Sequence, residues 1–257
     1  MGRFHRHDDG TVHDHDHDED TPHTHGDHSG YVTGRQRIDV LEAIFAENDV
    51  RANYNREAFA RNRVRALNLM SSPGSGKTTV LAATLDELAG EFEVGVIEGD
   101  IATDLDAAKL DGRGAQISLL NTGNGFGGEC HLDAPMVNRA LQGLDLSRLD
   151  LVIIENVGNL VCPAEFDVGE HAKAMVYSVT EGEDKPLKYP VMFRAVDVVL
   201  LNKIDLVPYL DVDVDSYVAR VREVNPAATI LPVSARTGAG MAAWFAWLRR
   251  FMAAAPA

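Results

Sequence analysis

Apolar and polar positions alternate along most of this chain in blocks of two periods. Short apolar runs, read as strands, occur at Leu67–Met70, Glu93–Glu98, Ala115–Leu120, Leu149–Ile154, Val196–Leu201 and Thr229–Val233. Helical patterns occupy 77–89, 134–143, 213–224 and 239–254 between them. Strands alternating with helices predict a parallel sheet covered on both faces. Trp244, Phe245, Trp247, Leu248 and Phe251 make the last helix a packing helix. Ahead of the sheet, 35–63 carries helix formers and an apolar stripe, Ile38, Leu41, Ile44, Phe45, Val50, Tyr54, Ala58 and Phe59. That pattern predicts one or two amphipathic helices packed on the following domain. The expected organisation is a tail (1–34), a helical segment (35–64) and an α/β domain with a mostly parallel central sheet flanked by helices (65–257).

The tail changes the picture by composition. Residues 1–30 hold eight of the ten histidines, His5, His7, His13, His15, His17, His23, His25 and His28, among Asp, Gly and Thr. So few apolar residues cannot bury enough surface to fold, and disorder is expected. The alternation His13-Asp14-His15-Asp16-His17-Asp18 is unlike the uninterrupted run of an expression tag. It reads as a multidentate reservoir for a borderline divalent metal such as Ni²⁺, Zn²⁺ or Cu²⁺. The formal net charge of −15 over 257 residues argues against a general binder of nucleic acid or of anionic membranes. No run approaches the ~18 apolar residues of a membrane span, and no apolar signal-peptide core is present. Two cysteines, Cys130 and Cys162, exclude a disulfide scaffold and fit a reduced, cytoplasmic setting.

Chemistry concentrates where strands end. Leu67–Met70 runs into Ser71-Ser72-Pro73-Gly74-Ser75-Gly76-Lys77-Thr78-Thr79, a strand, a phosphate-cradling loop and a helix start, which makes the expected fold of 65–257 that of a P-loop NTPase. Lys77 is expected at the β/γ-phosphates and the Thr78 hydroxyl at Mg²⁺. Ser71 stands where the strict loop pattern has glycine, and Gly74 can supply the tight turn. Asn202-Lys203-Ile204-Asp205 follows another apolar run. The Asp205 carboxylate can accept from guanine N1–H and the exocyclic amine, a donor pair that adenine lacks. Asn202 is expected at the base edge, the Lys203 stem on the base face, and the Ser234-Ala235 loop near guanine O6. Asp100 and Asp104 leave the second strand, where one could hold Mg²⁺. Glu155 is expected to hold a magnesium-bound or attacking water, and Gly158 to bring an amide to the γ-phosphate. Each acidic residue could instead be a helix cap. Lys77, Asp100 and Glu155 are the candidate catalytic groups, and spacing alone does not single out a base. Finally, Cys130-His131 lies in a glycine-rich loop, with Cys162 just past Gly158. Thiolate and imidazole suit Zn²⁺ or Ni²⁺, and two copies across a two-fold axis could complete the coordination. Buried structural cysteines, or a nucleophilic Cys/His pair, are the other readings.

Together these segments resemble the hydrogenase-maturation nickel-insertion GTPases, the HypB family. The matching stretches are Ser72–Thr79, Glu98–Asp104, Gly128–Leu132, Glu155–Pro163 and Asn202–Asp205, and the likeness spans roughly residues 36–250. The resemblance implies a GTPase of the signal-recognition-particle/MinD-like class. It implies a nucleotide-switched homodimer that helps load nickel into [NiFe] hydrogenase. Its partners would be a small zinc-containing nickel chaperone and the hydrogenase large-subunit precursor, and its G-domain metal ligands Cys130, His131 and Cys162. The cysteine-rich N-terminal nickel motif of some members is absent. Two alternatives remain: the urease-type GTPase, whose metal motif is Cys-Pro-His where this chain has Cys130-His131, and a nickel storage or buffering protein.

Overall fold

The computed structural model describes residues 5–6, 12–13, 34–99, 110–120 and 131–254. Asp100, Asp104 and Cys130 lie outside that set, as does most of the stretch expected to be disordered. The chain divides into two compact units, Met1–Glu42 and Ala43–Ala257. In the first, His5–Arg6 and Val12–His13 pair antiparallel, and helix α1 (Gly34–Asn62) begins.

The second unit is built on seven strands: β1 (Arg65–Ser71), β2 (Val94–Glu98), β3 (Gln116–Leu119), β4 (Leu151–Gly158), β5 (Ala172–Ser178), β6 (Val198–Asn202) and β7 (Thr229–Pro232). They form one sheet of order β3-β2-β4-β1-β5-β6-β7. Every pairing in it is parallel. Parallel strands need helices on both faces, and the inner strands are buried along almost their whole length. The period of two sorts their side chains. Leu67 and Leu69, Leu151 and Ile153, Ala174 and Val176, Val198 and Leu200 share one face with α2 (Lys77–Leu88) and α8 (Met241–Ala253). On the opposite face, Ala66, Val152 and Ile154 meet Phe59 of α1 and Val137 and Leu141 of α3 (Ala134–Leu141). Farther along that face Met175, Tyr177, Val199 and Leu201 meet Phe193 of α6 (Pro190–Arg194) and Tyr217 and Val221 of α7 (Val214–Val224). Each fully buried Leu, Val or Phe contributes roughly 1.5–3 kcal/mol.

Three findings correct the sequence expectation. Strand β5 was not foreseen, because Ala172-Lys173-Ala174-Met175 reads locally as helix. Its place between β1 and β6 imposes the strand. The short helices α4 (Cys162–Glu165), α5 (Lys185–Lys188) and α6 were also unforeseen. Second, α1 is a single helix, within the one or two expected, but most of the described part of its apolar stripe is not the face it buries. Ile44, Phe45, Val50 and Tyr54 are exposed, while Asn48, Ala52, Asn55 and Phe59 are buried. Ile38 and Leu41 lie outside the described side chains. The two asparagines share that contact with Phe59. The Asn48 side-chain amide donates to Asp167 O (2.8 Å) and its oxygen accepts from Ala134 N (2.9 Å). Asn55 donates to Ala134 O and Val168 O (both 3.0 Å) and accepts from Asn138 Nδ2 (2.8 Å). Gly169 lets α1 come this close, since a Cβ there would stand 2.7 Å from Ala52 O. Third, β4 does not end at Ile154. It continues to Gly158 through a bulge: β1 advances from Leu69 to Ser71 while β4 advances from Glu155 to Gly158.

Candidate nucleotide and metal site

Strand β1 delivers the loop Ser71–Gly76 to the N-terminus of α2. Residues 71–79 and Gly158 line a cleft of about 230 Å³ there. Gly76 caps the helix at φ 98°, a left-handed conformation that favours glycine. A Cβ there would also stand 2.5 Å from Asn202 Nδ2. The loop's outer side is tied down by Ser72, whose hydroxyl donates to Glu181. Ser75 Oγ is buried with no hydrogen-bond partner among the described residues. An unsatisfied hydroxyl and a helix N-terminus around one concavity fit an anionic phosphate chain.

Lys77 and Thr78 open α2 facing the end of β4. The Lys77 ammonium donates to the main-chain carbonyl of Asn156 and lies 3.7 Å from Glu155 Oε1, both side chains being almost fully buried. Thr78 Oγ1 donates to the same carboxylate oxygen at 2.9 Å. A hydroxyl that lines the cleft thus meets a carboxylate buried behind it, both hard oxygen donors, and this set fits Mg²⁺.

A second cleft, of about 570 Å³, adjoins the first. Gly76, Thr79, Lys203, Asp205, Ala235 and Arg236 are among the residues that line it. Lys203 takes the left-handed conformation (φ 64°), uncommon without glycine and concentrated at functional sites. Its ammonium donates to Gly74 O at 2.6 Å, so the lysine stem spans from one cleft to the other. Asp205 Oδ1 accepts from Ser234 Oγ at 2.7 Å, which fixes the carboxylate. Asn202 also lines this cleft. It is buried, its Nδ2 donates to Ser75 O (2.9 Å) and its Oδ1 accepts from Ala235 N (3.0 Å). It therefore straps the phosphate loop to the loop after β7, and the Ala235 amide expected near guanine O6 is engaged by this strap.

At the far side of Gly158, Asn159 Oδ1 accepts from Val161 N at 2.9 Å, and half-buried Cys162 opens α4. Phe166, one helical turn after Cys162, stacks on the imidazole of His131 with ring centroids 4.1 Å apart. Phe45 packs on Phe166 in turn, at 5.2 Å. Among the described residues no three His, Cys, Asp or Glu side chains gather as a metal site. The third expected ligand, Cys130, lies outside them.

Sequence reasoning missed the supporting residues. The Asn202 strap, the Ser72–Glu181 tie and the Asn156 carbonyl facing Lys77 depend on contacts between distant segments and leave no local periodicity. The Ser178 capping box with Glu181 is the one motif that could have pointed to that carboxylate.

Residues 65–232 match the family described as "CobW/HypB/UreG, nucleotide-binding domain". The chain is 49% identical over 223 residues to the hydrogenase maturation factor HypB of Azotobacter chroococcum, covering 87% of this chain and 72% of that one. Among solved structures, HypB of Archaeoglobus fulgidus superposes with a TM-score of 0.75 at 37% identity, over 80% of this chain and 99% of that one. HypB of Helicobacter pylori, solved in complex with nickel, gives 0.74 at 35% identity, over 80% of this chain and 95% of that one. With its phosphate loop, its Asn-Lys-Ile-Asp segment and its all-parallel sheet, the chain belongs to the CobW/HypB/UreG family and, within it, to the hydrogenase maturation factors HypB.

Proposed function

We propose that this protein hydrolyses GTP and uses the nucleotide to control a nickel site formed by Cys130, His131 and Cys162, in the service of [NiFe] hydrogenase maturation. The observation that carries the reading is the single piece of backbone, Glu155 to Cys162, with one end in the phosphate cleft and the other at α4. Glu155 meets Thr78 and Lys77, and Phe166 one turn beyond Cys162 meets His131.

In this reading Lys77 and the α2 N-terminus hold the β/γ-phosphates and neutralise charge on the transferred group. Mg²⁺ supplies further charge neutralisation when bound, held by Thr78 with Glu155 or the Asp100 region. Glu155 orients the attacking water, and Gly158 borders the γ-phosphate position. Asp205 reads guanine, and Lys203 lies along the base. Nickel is the cargo: neutral imidazole and thiolates suit it, with Zn²⁺ an alternative occupant. A homodimer would complete the coordination, and a zinc-containing chaperone and the hydrogenase precursor would be donor and acceptor. None of the described helices is long and apolar enough to cross a membrane, in keeping with action in the cytoplasm. The tail histidines act as a reservoir outside the switched site.

The test follows hydrolysis of GTP and ATP by the full chain together with the thiolate-to-nickel charge-transfer absorption. With only two cysteines, that absorption reports Cys130 and Cys162 and is silent to the tail. GTP turnover well above ATP turnover, and a band lost in Cys162→Ala, are expected. Equal turnover of the two nucleotides, or a band unchanged in Cys162→Ala, refutes the reading.

A further inference from the structure

Asn156 is fully buried near the centre of the sheet, in the bulge that separates Glu155 from Gly158. A polar side chain survives there only when its hydrogen bonds are made, and this one joins three segments. Its Oδ1 accepts from Leu132 N at 3.0 Å, the residue next to His131. The same oxygen accepts from Val157 N at 2.9 Å. Its Nδ2 donates to Asn68 Oδ1 on β1 at 3.3 Å, and Asn68 donates in turn to Glu170 at 3.3 Å. Its own main-chain carbonyl accepts from the Lys77 ammonium.

The decisive feature is one peptide plane. The carbonyl of Asn156 and the N–H of Val157 belong to the same planar unit. Lys77 holds one side of that plane, and the Asn156 amide is bound to the other. A phosphate in the cleft offers the Lys77 ammonium a charged acceptor in place of a neutral carbonyl, and charge-assisted hydrogen bonds are roughly twice as strong. When Lys77 turns to phosphate, the plane loses the contact that holds its carbonyl. A rotation of the plane pulls on the Asn156 amide, and the amide holds Leu132. Bulges beside active sites characteristically re-aim groups in this way.

We infer that Asn156 is a positioning residue that relays phosphate occupancy from Lys77 to the segment of His131. Its consequence for metal rests on the function proposed above, but the relay can be read without metal. Hydrogen exchange at the Leu132 amide would be measured in the full chain, nucleotide-free and bound to a non-hydrolysable GTP analogue. The wild type is expected to show a rate change of about tenfold or more at Leu132, within the 5–150-fold range common for coupled sites. In Asn156→Ala, Leu132 should exchange faster and at the same rate in both states. Equal wild-type rates overturn the relay, as does a full-size change persisting in Asn156→Ala. Should Asn156→Ala fail to fold, Asn156→Ser, too short to bridge Leu132 and Asn68, provides the same readout, and the wild-type comparison stands by itself. The thiolate-to-nickel absorption separates the two claims. A relay seen by exchange without any such absorption supports the relay and refutes the nickel site. Nickel binding that responds to nucleotide as strongly in Asn156→Ala as in the wild type overturns the relay and leaves the nickel site standing.

Discussion

In the proposed function Asp205 decides what the second cleft accepts. Ser234 fixes one of its carboxylate oxygens, so the acceptor pair meets an incoming base already oriented. Replacing it by asparagine exchanges an acceptor for a donor at that edge. Asp205→Asn should lower the preference for GTP over XTP by about 100-fold or more, since sites built around a hydrogen-bond pattern discriminate strongly against its loss. Competition binding with the two nucleotides checks this, and an unchanged ratio contradicts the assignment. The position of this residue at the cleft was legible from sequence because its signal is local: four residues after an apolar strand. Asn202 belongs to the same four, but its strap to Ser75 and Ala235 was not legible, because those partners are brought to it only by the fold.

At the scale of elements, α1 shows where periodicity fails. Of the legible stripe, Ile44, Phe45, Val50 and Tyr54 are exposed and Phe59 is buried, while a buried asparagine pair helps dock the helix. Hydropathy patterns treat asparagine as a surface residue, and here its hydrogen bonds reach main-chain groups of loops that the pattern cannot position. Asn55→Ala would leave the buried Ala134 and Val168 carbonyls without this donor. Its unfolding free energy should drop by about 2–3 kcal/mol, the cost of unsatisfied buried groups. Val50→Ala, on the exposed face, should stay within about 0.5 kcal/mol. Denaturant unfolding of both variants checks the order, and a larger loss at Val50 would contradict the observed face. Strand β5 escaped for the complementary reason: its first four residues favour helix, and its neighbours β1 and β6 override them. The other six strands were legible because apolar runs that short, bounded by turn residues, have few alternatives.

For the whole molecule, stability should depend on pH through His171. Its Nδ1 accepts from Ala66 N at 2.9 Å, joining the approach to β5 with β1. Burial, and then the nearby Arg65 and Arg56 charges, hold its pKa below the ordinary histidine value of 6.5. The folded state therefore favours neutral imidazole, and between the folded pKa and 6.5 the unfolded chain binds more protons. Stability should fall as pH drops below about 6.5 and level off below the folded pKa. In His171→Gln, which keeps an acceptor for Ala66, this part of the acid loss should vanish. Denaturant midpoints of the two proteins between pH 7.5 and about 5 measure it, and parallel pH profiles would contradict the assignment.

The same scale holds the central claim, that nucleotide state governs nickel held by the cysteines. In the proposed function the segment from Glu155 to Cys162 joins the two chemistries, and a coupling through it is reciprocal. The direct measurement is the rate at which thiolate-bound nickel leaves the full chain for a competing chelator, followed by the charge-transfer absorption. It is taken once with GDP and once with a non-hydrolysable GTP analogue. The two rates should differ by about 5–150-fold, corresponding to a coupling of about 1–3 kcal/mol if the difference lies in the release step. Identical rates in the two nucleotide states would contradict the account.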